Sequence, residues 1–228
     1  MIRERKIILA SASPRRRQLL TQLGISYTAR ASEVNEDPLV GESPVETQRR
    51  ITLAKAEVIA RDLRDASGEW VVIASDTTVL LDGEMLNKPA DADEAWGMLR
   101  RLRGRVHTVQ SCLVVLEGGG EGNGESAGHE RQERCGIDLM CSDVHMRDYG
   151  DDEIAAYIAT GDPFDKAGSY AVQHPQFRPV EAILGCPLNV IGLSLCRLRE
   201  RMPELPACDQ VCAAWFGPGR DCAAPPQP

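Results

Sequence analysis

Four apolar residues, Ile7 to Ala10, run into Ser13 and Pro14 within three positions. That junction restricts what the chain can fold into. The run has strand length and is too short for a helix, whereas a serine followed by proline starts one: its hydroxyl caps free backbone amides, and proline at the first helical position loses no hydrogen bond. Leu19, Leu20 and Leu23 then supply an apolar stripe, and Gly24 closes the helix. The same alternation recurs. Ser43, Pro44 and Glu46 open a second helix with a capping box, periodic to about Leu63. Val71 to Ala74 and Thr78 to Leu81 read as two strands, the second ending in an Asp82-Gly83 turn. Asp91 with Glu94 predicts another capping box and a helix through Leu102, ending near Gly104. Val106 to Leu116 and Ile137 to Met146 read as strands, Asp151 to Thr160 as a short helix, Val180 to Ile183 as a strand and Leu188 to Arg201 as the last helix. Strands alternating with helices, with hairpins between, imply an α/β fold with a mixed sheet.

Between residues 117 and 136 the glycine-rich GGGEGNGESAGHERQE reads as a flexible surface insert, and 202–228 as an irregular tail of prolines and cysteines. Residues 1–201 are thus expected to form the working domain. A net charge of −8 argues against bulk capture of nucleic acid or of an anionic membrane, so an anionic ligand must meet a local basic patch. The apolar part of the N-terminal stretch is too short for the core of a signal peptide, and no apolar run spans a bilayer, so a cytoplasmic protein is expected. Eight cysteines without CxxC spacing give little support for zinc, and most should be thiols. The four histidines lack metal or triad spacing.

Three stretches carry candidate chemistry. SASPRRR, residues 11–17, sets Arg15, Arg16 and Arg17 at a helix N-terminus, where the dipole disfavours cations unless an anion joins them. The alternative is a capped helix with a solvated basic face. In ASDTTVLLDGEMLNKP, residues 74–89, Asp76 could hold a metal ion or orient a water and Lys88 could neutralise phosphate; a turn aspartate and a solvated lysine explain the pattern as well. In DPFDKAGSYAVQ, residues 162–173, Ala167, Gly168 and Ser169 would let the backbone approach a ligand closely, and Gln173 offers a donor and an acceptor to a base edge; an ordinary glycine turn is the competing reading.

Together LASASPRRRQLL, SEVNEDP, LAKAEV, ASDTTVLLDGEMLNKP, MLRRLRGRVHTV, PFDKAGSYAVQ and NVIGL resemble, in order and spacing, the Maf family of nucleoside triphosphate pyrophosphatases over residues 7 to about 200. The resemblance implies an elongated, twisted mixed sheet with flanking helices, as in inosine triphosphatases, and two lobes around a central cleft. It implies hydrolysis of a nucleoside triphosphate to monophosphate and diphosphate with a divalent metal, Mg or Mn. Asp76 falls on the catalytic position, as acceptor of the attacking water's proton. Arg15, Thr77 and Gln173 fall on positions that separate substrate subclasses, and the glutamine resembles the branch acting on dTTP, UTP and modified pyrimidine nucleotides. Ser11, Arg16, Lys55, Lys88 and Lys166 match polar or cationic substrate-binding positions, and Glu36 with Asp76 the metal position. The alternatives are a 7-methyl-GTP pyrophosphatase and a non-enzymatic nucleotide-binding regulator of septum formation. A homodimer is implied, without stable nucleic-acid or membrane partners. Arg103 in place of a serine, His174 in place of a glycine, and Pro187 with Leu188 in a usually aromatic segment depart from the family pattern.

Overall fold

The structure, a computed structural model, describes residues 5–119 and 133–217. The chain falls into two units. The first gathers Met1–Asp76, Cys112–Leu139 and Leu195–Val211, and the second Thr77–Ser111, Met140–Ser194 and Cys212–Pro228. An open mixed sheet of seven strands underlies the fold. Strand β1 (Lys6–Leu9) lies parallel to both β2 (Thr28–Ala29) and β3 (Trp70–Leu81), and β4 (Glu84–Leu86) pairs antiparallel with β3. Strands β5 (Val106–Gly118), β6 (Arg134–Met146) and β7 (Val180–Leu184) complete the order β2-β1-β3-β5-β6-β7.

In the first unit, α1 (Pro14–Gln22) and α2 (Pro44–Arg61) begin where the sequence places them. Ser13 Oγ accepts from the Arg16 amide, and at α2 Ser43 and Glu46 cap each other's backbone N–H groups at 3.3 and 2.8 Å. One face of α2 packs Ala56, Ile59 and Ala60 onto Ile8, Val72 and Val114 of the sheet. Beside them Gly118 allows a close approach that no other residue could: a Cβ there would lie 2.3 Å from the indole of Trp70. Arg201 of α6 (Leu195–Arg201) grips the buried Asp138 carboxylate with two hydrogen bonds of 2.6 and 2.8 Å.

The second unit holds α3 (Ala92–Leu102), α4 (Asp151–Ala159), α5 (Pro187–Ile191) and most of α7 (Asp209–Phe216), whose first three residues are counted with the first unit. Leu99 and Leu102 of α3, Ile154 and Tyr157 of α4 and Val144 of β6 form its core, with the Tyr157 and Phe177 rings stacked at 4.4 Å. At α3 only half of the expected capping box forms. Asp91 accepts from the Glu94 amide at 2.9 Å, while the Glu94 carboxylate takes the Ala90 N–H at 2.7 Å instead of returning to Asp91.

Four readings change. The two strands expected around Asp76 are one strand of 12 residues, because Asp76 is paired from the side and does not end it. The expected last helix is two, α5 and α6, parted at Gly192, whose φ of 127° an L side chain resists. Residues 209–216 of the expected irregular tail form α7, which buries Val211 and Cys212. The insert is narrower than 117–136, since β5 runs to Gly118 and β6 starts at Arg134; residues 120–132 and 218–228, with His129 and Cys222, lie outside the described residues. The other seven cysteines are free thiols.

Candidate active site

In the first unit β1 delivers the chain to Ser11, which is buried, and α1 starts three residues later. Ser11 Oγ accepts from the Ser13 amide and from Arg16 Nη1, both at 3.2 Å, so the Arg16 guanidinium folds back across the helix N-terminus. Burial lowers the Arg16 pKa from its ordinary value and Arg15 adds to this, while Asp76 and Glu36 oppose it. A cation set against a helix N-terminus is thus held beside two carboxylates. Arg15 is half-buried at the same turn.

Helix α2 brings the second set. Gln48 and Lys55 lie seven residues apart, two turns of helix, and so share a face. Gln48 Nε2 donates to the Asp76 carbonyl at 3.2 Å, fixing β3 where the carboxylate projects. Lys55 Nζ lies 2.8 Å from Asp76 Oδ1 and 2.7 Å from Glu36 Oε1. The Lys55 and Asp76 side chains are only 10% and 18% exposed, whereas Glu36 is 59% exposed and reaches in from a loop. Ser11, Arg15, Arg16, Glu36, Lys55 and Asp76, scattered over 66 positions, are therefore one cluster. It carries three cations, two carboxylates and open helix amides, a composition that binds and polarises an oxyanion.

The remaining candidates belong to the second unit. Thr77 Oγ1 lies 2.9 Å from Ser111 Oγ and 3.5 Å from Gly192 O. Ser111 Oγ also donates to the Asn189 carbonyl at 3.3 Å, and the buried Asn189 amide reaches Val109 O and Ser142 Oγ, both at 3.1 Å. Lys88 is exposed and makes no ion pair with a described residue. Lys166 is buried and committed: its Nζ contacts Asp162 O, Asp162 Oδ1 at 2.8 Å and Asp165 Oδ1 at 2.6 Å. Gly168 serves packing, since its Cβ would meet Val79 at 3.0 Å. Gln173 lines a cavity of about 120 Å³.

The departures from the family pattern have structural partners. Arg103 donates to Tyr149 O at 3.0 Å and Asp151 Oδ1 at 2.8 Å, tethering the start of α4. His174 Nδ1 accepts from the Phe177 amide at 3.0 Å and shapes the turn that follows Gln173. Pro187 opens α5. Sequence reasoning passed over Gln48, Ser111 and Asn189, of which only Asn189, inside NVIGL, carried a signal. Among the described residues no group of three or more His, Cys, Asp or Glu could hold a metal ion, and no helix is long and apolar enough to cross a membrane.

The family model described as Maf-like protein matches residues 6–205. Curated relatives named dTTP/UTP pyrophosphatase include one from Thermomicrobium roseum, 42% identical over 83% of this chain and 79% of its own. Those from Dictyoglomus thermophilum and Pelotomaculum thermopropionicum are each 38% identical, over 89% and 88% of this chain and 97% and 96% of theirs. A solved structure, the Staphylococcus aureus Ham1 protein, aligns loosely, over 64% of this chain and 75% of its own at 17% identity and a TM-score of 0.38.

Proposed function

Because the chain belongs to the Maf family, we propose that it hydrolyses dTTP and UTP to the nucleoside monophosphate and diphosphate. The observation that carries the reading is Lys55 Nζ held between Asp76 and Glu36 beside the basic N-terminus of α1. Splitting a phosphoanhydride requires charge neutralised on several phosphate oxygens and a water aimed at one phosphorus. Arg15, Arg16 and the amides of α1 take phosphate oxygens. Asp76, fixed by Gln48 and Lys55, orients the attacking water and accepts its proton.

Two carboxylates converging on one ammonium fit a hard divalent cation, because Mg²⁺ commonly takes one or two protein carboxylates and completes its shell with substrate phosphate and water. Asp76 and Glu36 would hold it, and it would supply charge neutralisation and a more acidic bound water. Lys88, exposed and without a carboxylate partner among the described residues, is the second-unit cation suited to phosphate; Lys166 already faces two carboxylates. Gln173 reads the base: its amide donates to a carbonyl and accepts from the N3 hydrogen of thymine or uracil, which a carboxylate could not do. Thr77, set by Ser111, adds a hydroxyl to the same selection. A homodimer acting on the cytoplasmic nucleotide pool completes the reading.

Diphosphate release from dTTP, UTP and 7-methyl-GTP, with Mg²⁺ or Mn²⁺ present, tests it. Faster turnover of the two pyrimidine nucleotides is expected. Faster turnover of 7-methyl-GTP overturns the base assignment, and no release from any of the three overturns the reaction.

A further inference from the structure

The cavity at Gln173 has a wall from an unexpected place. Its lining combines Gln173, Glu181, aliphatic side chains of β7 and two aromatics of α7, Trp215 and Phe216. Helix α7 lies beyond residue 205, where the family match ends. Trp215 and Phe216 are the last two residues of α7, at the end of the helix. Both aromatics are half-buried, leaving part of each ring uncovered. Glu181 is the sole ionisable group among the lining residues, and no lysine, arginine or histidine is among them. Such a surface has no positive charge to offer a phosphate, and its one carboxylate would repel it. Aromatic faces, aliphatic walls, one carboxamide and the Glu181 carboxylate as a further acceptor suit a neutral, planar ring with hydrogen-bonding groups on its edge.

We propose that Trp215 and Phe216 form a stacking platform for the pyrimidine whose edge Gln173 reads, so that a segment outside the family region completes the base pocket of this chain. The inference rests on the assignment of Gln173 to the base. The two contributions differ in kind. Stacking grips any flat ring, because every base has a π-face, and so sets affinity without choosing between bases. Hydrogen bonding by the carboxamide does the choosing. The turn that His174 braces holds the glutamine in place while α7 supplies the face.

Trp215→Ala and Phe216→Ala in the full chain separate the roles. Each should raise KM for UTP and dTTP alike, by about 10-fold for Trp215→Ala, with kcat within twofold and the preference over 7-methyl-GTP retained. Trp215→Phe should restore most of the loss. Titration of the wild type with UMP should quench tryptophan fluorescence, a signal that Trp215→Phe abolishes while Trp70 and Trp96 remain. Unchanged KM in Trp215→Ala, beside impaired pyrimidine turnover in Gln173→Glu, overturns the stacking platform and leaves the proposed function standing. Unchanged kinetics in both variants overturn the base assignment as well. A fall in KM for Trp215→Ala shows that α7 plugs the cavity and overturns the platform too.

Discussion

Replacing Lys55 with methionine keeps the length of the side chain and removes the cation that Asp76 and Glu36 share. In the wild type three cations face two carboxylates, a net charge of +1; the variant leaves the cluster neutral before a triphosphate arrives. Unit charges about 4 Å apart interact by roughly 4 kcal/mol at an effective dielectric of about 20, which suits a lysine only 10% exposed. Desolvation of the ammonium, relieved in the variant, offsets part of that. A loss of about 1–3 kcal/mol in transition-state stabilisation should remain, equivalent to a fall of roughly 10- to 100-fold in kcat/KM. Diphosphate release from UTP measures it, and Lys55→Arg, which keeps the charge with altered geometry, should fall between methionine and wild type. A Lys55→Met enzyme within twofold of wild type would refute the idea that this ammonium organises the site.

Asp76→Asn retains shape and loses charge, so turnover should drop by about 100-fold or more while nucleotide binding largely survives; single-turnover and binding measurements together check it. Burial lowers the His107 pKa to about 4, below the value of 6.5 usual for an exposed imidazole, so below pH 6.5 the unfolded chain binds a proton that the native state refuses. Stability should therefore fall as pH drops from about 6.5 towards 4, by about 2 kcal/mol at pH 5, and melting curves of wild type against His107→Gln should show this slope only in the former. Gly118→Ala forces a methyl group into the Trp70 indole and should lower the melting temperature by roughly 5 °C, through about 1–3 kcal/mol of overpacking; an unchanged temperature would mean the two strands part easily there.

What could be read from sequence was local. Ser13 and Ser43 announce their helices because a cap and its amides lie within three residues of each other. Asp76 misled for the opposite reason: an aspartate in an apolar run reads as a strand end, and only Lys55, 21 residues earlier, lets the strand continue past it. Gly192 interrupts an apolar pattern that looks continuous, and the chain needs its positive φ to pass from α5 to the buried Leu193 and Ser194. Lys166 reads from the resemblance as a substrate-binding cation, yet Asp162 stands four residues before it, a spacing that suits their ion pair. The short α7 gives too little periodicity to stand out among prolines and cysteines, and its meeting with Gln173 joins residues more than 40 positions apart.

Strand β3 places Asp76 and Thr77 side by side in sequence, yet successive strand residues project to opposite faces. Asp76 turns towards Lys55 of α2, and Thr77 towards Ser111 of β5. Neighbouring codons thus encode the residue proposed as proton acceptor and the hydroxyl proposed to select substrate, turned towards different elements. On those proposed roles, a point substitution at Thr77 would alter nucleotide preference and leave Asp76 and Lys55 in place. A change in chain length acts on both: one residue gained or lost between Trp70 and Asp76 would exchange the two faces, burying the carboxylate where the hydroxyl belongs.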